Sequence, residues 1–315
     1  MHALILAGGL SHERDVSIRS GRRVHEFLRG RFDKVSLLDV DSELVPTLRF
    51  GDVDVVWPLL HGASGEDGSL QALLELVGVP FVGTGSKEAR VAWNKAVAKA
   101  VLLREGIATP DYVTLPQSLF REVGAEHILD LIVDRFSLPV VVKPVRGGSA
   151  LGVSVVQSRE DLASAMVHCF AYGDTALIEK AVIGTEVAMS VLGTGDAARV
   201  LPAVEMVTDN GDYDFDARYN PGRVEYFAPA RLSDAAREAA ERTALQVHRV
   251  MGLRDLSRVD IILDGEGVPQ VIDINIVPGM TETSLFPQAA EAAGLDLAAV
   301  YGELVDEAFA RHSAR

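Results

Sequence analysis

"RVDIILDGEGVPQVIDINIVPGM", residues 258–280, reads as two apolar strands folded back around a Gly-rich turn and running into a Pro-Gly bend. With Asp264 opposite Pro269, Asp260 faces Asp273 and Arg258 faces Asn275. Opposed residues of an antiparallel pair share a face, with Cβ atoms ~4.5–5.5 Å apart. The other face then carries Val259, Ile261 and Leu263 against Ile272, Ile274 and Ile276. A one-residue slip would bury carboxylates among isoleucines, so the pattern specifies the parity of the register. Two facing carboxylates repel unless a cation lies between them. Oxygen donors of this kind suit Mg²⁺, which is commonly shared with substrate phosphates; a solvated face on which Arg258 offsets both acids is the plainer alternative. The Pro278-Gly279 turn favours the metal reading, because it offers backbone N–H groups beside that face, where a developing oxyanion could be held.

Away from the hairpin the texture changes. "HALILAGG" (2–9) and "VDVVWPLLHG" (53–62) read as buried strands, each followed by a helical pattern, "VSIRSGRRVHEFL" and "GSLQALLELVG". Strand-helix alternation of this kind implies a parallel sheet. "VPFVGTG" closes that unit, and "SKEARVAWNKAVAKAVLLREG" (86–106) reads as one helix stopped by Gly106. From about 108 the pattern turns to strands with hairpin-like turns, "LPVVVKPV", "VSVVQ" and "TALIEKAV", around a helix "SREDLASAMVHCF", an α+β texture. The expected fold is thus a parallel α/β unit over 1–87 followed by α+β units over 88–183 and 184–315.

A chain of 315 residues with 48% hydrophobic and 24% charged residues can bury two or three cores. Its formal net charge of −15 argues against a general nucleic-acid or anionic-membrane surface. The single cysteine, Cys169, permits no intramolecular disulfide; it reads as core packing in a reducing compartment. The N-terminal apolar run is too short for a secretory leader, and no run reaches the ~18 apolar residues of a membrane span. A cytoplasmic protein is expected.

Lys143 ends the apolar strand before "RGGSALG", and a lysine there is costly unless an anion meets it. Gly148 and Ser149 can turn backbone donors toward phosphate oxygens. The lysine precedes the glycines, so this is a strand-loop-strand flap and no Walker A loop. Other residues say less alone. Lys95 fits a solvated helix face, Asp67 fits a helix cap, and His61 ends a strand where α/β sheets place ligand crevices. Glu13 suits either a helix start or a substrate contact.

Taken in order, "AGGLSHERDVS", "LLHGASGEDGSLQALLELVGVPFVGTG", "VVVKPVRGGSALGVSVV", "DYDFDARYNPG", "SRVDIIL" and "DINIVPGMTETSLFP" resemble the motifs of the D-alanine–D-alanine ligase family of the ATP-grasp superfamily. The resemblance spans nearly the whole chain. It implies a three-domain ATP-grasp fold, with an N-terminal unit (1–87), a central ATP-binding unit (88–183) and a C-terminal catalytic unit (184–315). It also implies ATP and two Mg²⁺ ions, with Mn²⁺ as a substitute, two D-alanine substrates, a homodimer and a part in making peptidoglycan precursors.

By that resemblance ATP phosphorylates one D-alanine carboxylate, and the amine of a second D-alanine displaces the phosphate. Glu13 would bind the first ammonium, linked to Ser149 and Tyr219, with His61 close to the chemistry. Lys95 and Lys143, with Gly148, Ser149 and Arg218, would hold ATP phosphates, while Glu179 and Glu186 would meet adenine-side and ribose groups. Arg258 and the Gly279 backbone would stabilise the oxyanion, Asp260, Asp273 and Asn275 would bind Mg²⁺, and Ser284 would meet the second carboxylate.

Three departures stand out from the family's pattern: Asp273 where the family carries glutamate, Ala150 in place of a second serine, and Arg218 for lysine before Tyr219. The first two motivate an alternative, the same ATP-grasp chemistry with another acceptor or a ring closure. A nucleotide-binding protein without catalysis is the reading from another class, opposed by the retained Arg258, Lys143, Glu13 and Ser284.

Overall fold

The computed structural model describes residues 1–208 and 224–313, so Arg218 and Tyr219 lie outside the described residues. Three sheets follow one another along the chain. The first holds β1 (His2–Leu6), β2 (Lys34–Leu38) and β3 (Val55–Pro58) in the order β2-β1-β3, all parallel. β1 is buried throughout and apolar from Ala3 to Leu6, as a central parallel strand must be. The helix Arg14–Leu28 packs beside it, with Val16, Ser20, Val24 and Leu28 buried at helical spacing. Missing from the sequence reading was β2, a half-exposed edge strand whose "KVSLL" lacks both a continuous apolar run and a clean alternation.

The four-stranded sheet contains β4 (Tyr112–Pro116), β5 (Val140–Pro144), β6 (Ser154–Val156) and β7 (Thr175–Lys180) in the antiparallel order β4-β7-β5-β6. Helices Glu126–Phe136 and Arg159–Phe170 cover it, burying Leu129, Ile132, Leu162 and Met166 together with Cys169, a core residue as expected. β5 and β6 flank the Gly-rich stretch as the antiparallel flap read from the sequence.

The largest sheet is built from β8 (Gly184–Leu192), β9 (Arg199–Val200), β10 (Val204–Thr208), β11 (Val224–Phe227), β12 (Leu256–Asp264) and β13 (Pro269–Asn275). Its order is β11-β10-β8-β12-β13, with β9 on β8. The helix Asp234–Val250 seals one face through Ala240, Ala244 and Val247. The helix Leu297–Ser313 returns to the first sheet, where Tyr301 meets Phe27 and Trp57 edge-to-face at 5.7 and 5.4 Å. Its Arg311 forms a two-pronged ion pair with the buried Asp255, which also accepts the Gly83 N–H.

Two expectations need correction. The hairpin β12-β13 pairs Arg258 with Asn275 and Asp260 with Asp273 as read, but Leu263 and not Asp264 faces Pro269, because the register shifts after Asp260. The extra residue on β13 is Ile272: Val271 takes the core position opposite Ile261, and Ile272 turns into the cleft between the two antiparallel sheets. A bulge re-aims a side chain at the cost of one ladder position. The second correction concerns 86–106, where two helices, Ser86–Trp93 and Lys95–Arg104, replace one. Asn94 between them is extended, its side chain accepts the Val97 N–H, and its backbone bridges Arg146 while the Lys95 N–H reaches Val145 O.

Candidate active site

A cleft of about 810 Å³ opens between the four-stranded sheet and the hairpin. Lys143 and Glu179 line one wall, Asp260 and Asp273 the other, and Gly147 and Gly148 the rim. A smaller recess continues from it past Ser149, Arg258 and Asn275 to Glu66.

On the hairpin wall the two acids each carry a cation. Arg258 grips Asp260 with both prongs, Nε to Oδ1 at 2.6 Å and Nη2 to Oδ2 at 2.8 Å, and both residues are buried. Lys95, placed at the start of its helix by the break at Asn94, reaches Asp273 Oδ1 at 2.7 Å and Gly147 O at 3.0 Å. The Asn275 side-chain oxygen accepts the Val277 N–H at 2.9 Å, which tightens the entry to the Pro-Gly bend. Two carboxylates and one amide oxygen are donors of the kind Mg²⁺ takes when phosphates complete its shell, so the residues present fit that ion. Among the described residues no group of three or more His, Cys, Asp and Glu side chains comes together as a metal site. Any ion held here must therefore draw on ligands outside the acid pair.

Across the cleft, Glu179 is shared by two lysines, Lys143 at 2.6 Å and Lys99 at 2.8 Å. Lys143 also donates to Ile272 O at 3.0 Å, so the bulge and β5 meet. Burial pushes the Lys99 ammonium down to about 8, with Glu179 pulling the other way. Glu186 on β8, opposite Ile262 of β12, lines the same cleft. Sequence reasoning missed Lys99; its signal was the four-residue spacing from Lys95, which puts both on one helix face.

At the far end, Ser149 Oγ donates to Glu13 Oε1, linking the Gly-rich loop to the start of the first helix. Ser149 and Ala150 both adopt left-handed backbone, at φ 49° and 57°, a conformation kept where a site over-determines the chain. Gly62 is also left-handed, at φ 70°, and a Cβ there would stand 2.6 Å from Glu13 Oε2. Glu66, likewise missed, accepts the Gly62 N–H at 2.8 Å, and burial followed by the charge of Glu13 raises it to about 8. It was concealed beside Asp67, which does serve a turn by accepting the Ser69 N–H.

His61 is buried. It touches Ser20 Oγ through Nε2 at 3.3 Å, and burial lowers its pKa to about 4, helped by Arg258 and opposed by a backbone bond to Val277. A neutral imidazole follows. Ser20 Oγ also accepts the Met280 N–H, and Arg23 donates to Thr281 O at 2.7 Å, so the first helix holds the loop after Gly279. In that loop Ser284 Oγ accepts the Thr281 N–H at 3.0 Å and occupies the space a Cβ on Gly279 would need, 2.7 Å away. Lys95, Lys143, Gly148, Ser149, Glu179, Glu186, Arg258, Asp260, Asp273 and Asn275 thus line the cleft or its recess, Glu13 joins them through Ser149, and His61, Gly279 and Ser284 lie outside both linings.

Residues 43–84 match the family model described as D-ala D-ala ligase N-terminus, and residues 101–306 match D-ala D-ala ligase C-terminus. The chain is 38% identical over 302 residues to a D-alanine–D-alanine ligase of Desulforudis audaxviator, covering 96% of each chain. It is 38% identical over 306 residues to one of Moorella thermoacetica, covering 97% of this chain and 98% of that one. Among solved structures it resembles a D-alanine–D-alanine ligase from Bacillus anthracis complexed with ATP, at a TM-score of 0.83 and 25% identity over 100% of this chain and 98% of that one.

Proposed function

This chain belongs to the D-alanine–D-alanine ligase family, and from that premise we propose how its residues join two D-alanines at the expense of ATP. The observation that carries the reading is the cleft with Lys143 on one wall and the Arg258–Asp260 and Lys95–Asp273 pairs on the other.

In the first half-reaction a carboxylate oxygen of one D-alanine attacks the terminal phosphorus of ATP, ADP leaves, and a D-alanyl phosphate forms. Lys95 and Lys143 meet the phosphates; their positions on opposite walls support this, since a phosphate chain between them would meet a cation on each side. Asp260, Asp273 and Asn275 would hold a divalent metal, which when bound would supply positive charge against the phosphates. Two ions, and Mn²⁺ in their place, are the finer form of this proposal.

In the second half-reaction the amine of the other D-alanine attacks the acyl carbon, and phosphate departs as the peptide bond closes. Arg258 and the Gly279 N–H hold the oxyanion that forms between these events. Glu13 receives the first ammonium, and its contact with Ser149 ties that pocket to the Gly-rich loop. Ser284 meets the second carboxylate at the start of the helix Leu285–Ala292, where the orphan N–H groups favour an anion. Glu179 and Glu186 take the nucleoside end; the roles proposed for Arg218, at the ATP phosphates, and Tyr219, with Glu13 and Ser149, fall on residues outside the described ones. His61 stays neutral and orders the recess through Ser20.

Division into units at 87 and 183, a homodimer and a cytoplasmic setting belong to the same proposal. The division is supported by the successive spans of the three sheets, and no helix among the described residues is long and apolar enough to cross a membrane. The test is Mg²⁺-dependent phosphate release from ATP with D-alanine, with the product identified by mass. D-alanyl-D-alanine is expected; ATP-dependent ligation of some other acceptor with no D-alanine product would overturn the substrate assignment.

A further inference from the structure

We propose that Lys99 is a positioning residue of the nucleotide site, a standing counter-ion for Glu179 that releases Lys143 to the phosphates when nucleotide binds. This rests on the nucleotide reading of the cleft given above.

Glu179 is 2% exposed and Lys99 3%, so neither charge is compensated by water. The carboxylate lies between two ammonium groups, Lys143 at 2.6 Å from Oε1 and Lys99 at 2.8 Å from Oε2, the second an ion pair without hydrogen-bond geometry. Only one of these lysines faces the cleft where phosphates would lie: Lys143 lines it, whereas Lys99 sits behind it. The donors of Lys99 are spent on fixed protein acceptors, Thr109 Oγ1 at 2.5 Å and Pro110 O at 3.1 Å, and the Tyr112 ring lies 5.1 Å away. Lys99 is therefore anchored by two fixed acceptors behind the cleft, while Lys143, with a single such bond to Ile272 O and its place on the cleft wall, is the ammonium placed to change partners.

Charge balance then decides what happens on binding. When Lys143 turns to a phosphate, Glu179 would be left as a buried charge without compensation, which is severely unfavourable unless a second cation stays behind. Lys99 is that cation. Removing it makes Glu179 lean on Lys143, and the phosphates must then compete with a buried carboxylate for one ammonium. The same lysine also steadies the opposite wall, because Thr109 Oγ1 donates to Val271 O at 2.7 Å and the Val271 N–H donates to Ala108 O at 3.0 Å, directly beside the bulge.

The experiment measures MgADP binding by calorimetry, and steady-state constants for ATP and D-alanine, in the parent protein, Lys99→Met, Glu179→Gln and the double variant. Lys99→Met is expected to weaken MgADP binding about ten-fold or more and to raise the KM for ATP, leaving the KM for D-alanine near its parent value. In the double variant, with no carboxylate to neutralise, MgADP binding should match Glu179→Gln alone. Losses that simply add, or a loss of D-alanine affinity equal to that for nucleotide, would overturn the proposal and leave Lys99 a packing residue. Should Lys99→Met fail to fold, Lys99→Gln with and without Glu179→Gln gives the same comparison. A parent protein that binds MgADP but forms no D-alanyl-D-alanine would sink the ligase reading alone, since the Lys99 comparison is read from MgADP.

Discussion

Arg258 is in two-pronged contact with Asp260 and borders the recess that runs to Ser149 and Asn275. A contact to an oxyanion acts mainly in the transition state, so Arg258→Ala should lower kcat by about 10²–10³ while changing MgADP affinity far less. Calorimetry beside steady-state kinetics checks this, and equal losses in both would place Arg258 with the nucleotide instead. Asp273 poses a different question, because the resemblance read from the sequence implies the longer acid there. Its carboxylate already reaches Lys95 at 2.7 Å, so the site has closed around the shorter side chain. Asp273→Glu is expected to lower kcat and alter the Mg²⁺ dependence, both read by titrating the metal at saturating ATP; a rise in kcat would mean that the shorter acid is a defect. Alternation made the shared face of these residues legible; the turn pairing of Asp264 with Pro269, from which their facing was read, was wrong, and the bulge restored the register beyond Asp260. The hidden members, Glu66 and Lys99, were not, because a sequence shows charge but not whether water reaches it.

The break between the helices Ser86–Trp93 and Lys95–Arg104 shows what an element's own pattern leaves undecided. No glycine or proline interrupts 86–104, and the apolar spacing runs on through Asn94. The chain nonetheless leaves the helix there, since the Lys95 N–H finds Val145 O across the gap and Asn94 bridges Arg146. Tertiary hydrogen bonds have outweighed local propensity. Because the Asn94 side chain caps the second helix, Asn94→Ala should cost about 1 kcal/mol in denaturant unfolding, with Asn94→Ser largely neutral. The same variant should raise the KM for ATP, since Lys95 sits on the turn that is loosened; a stability loss with ATP kinetics unchanged would separate the cap from the site. The bulge at Ile272 was illegible for a related reason: either parity after Asp260 keeps an apolar residue toward the core, and only the approach of Lys143 and Ala108 selects one.

Among the buried groups of the whole molecule, three whose displaced titration spans about pH 4 to 8 give the stability an asymmetric dependence on pH in that range. Burial lowers His61 and His248 from 6.5 to about 4, so between those values the unfolded chain binds protons that the folded protein refuses. Stability therefore falls as pH drops through that interval. Glu66 acts in the opposite sense: burial and the nearby Glu13 raise it from 4.5 to about 8, so the folded protein keeps a proton the unfolded chain has released. Stability from Glu66 is lost as pH rises through that range. Below about pH 6.5 two histidines outweigh one carboxyl, and above it Glu66 acts without them, so stability should peak near pH 6.5 and decline on both sides. Each fully titrating group contributes a slope of about 1.4 kcal/mol per pH unit, which puts the net acid limb and the alkaline limb at similar steepness. Urea unfolding from about pH 5 to about pH 8 would trace both limbs. Glu66→Gln should flatten the alkaline limb and steepen the acid one, since the opposing carboxyl is gone. If the alkaline decline survives that substitution unchanged, Glu66 is ionised in the folded protein, and the recess beside Glu13 must hold a cation that neutralises both acids.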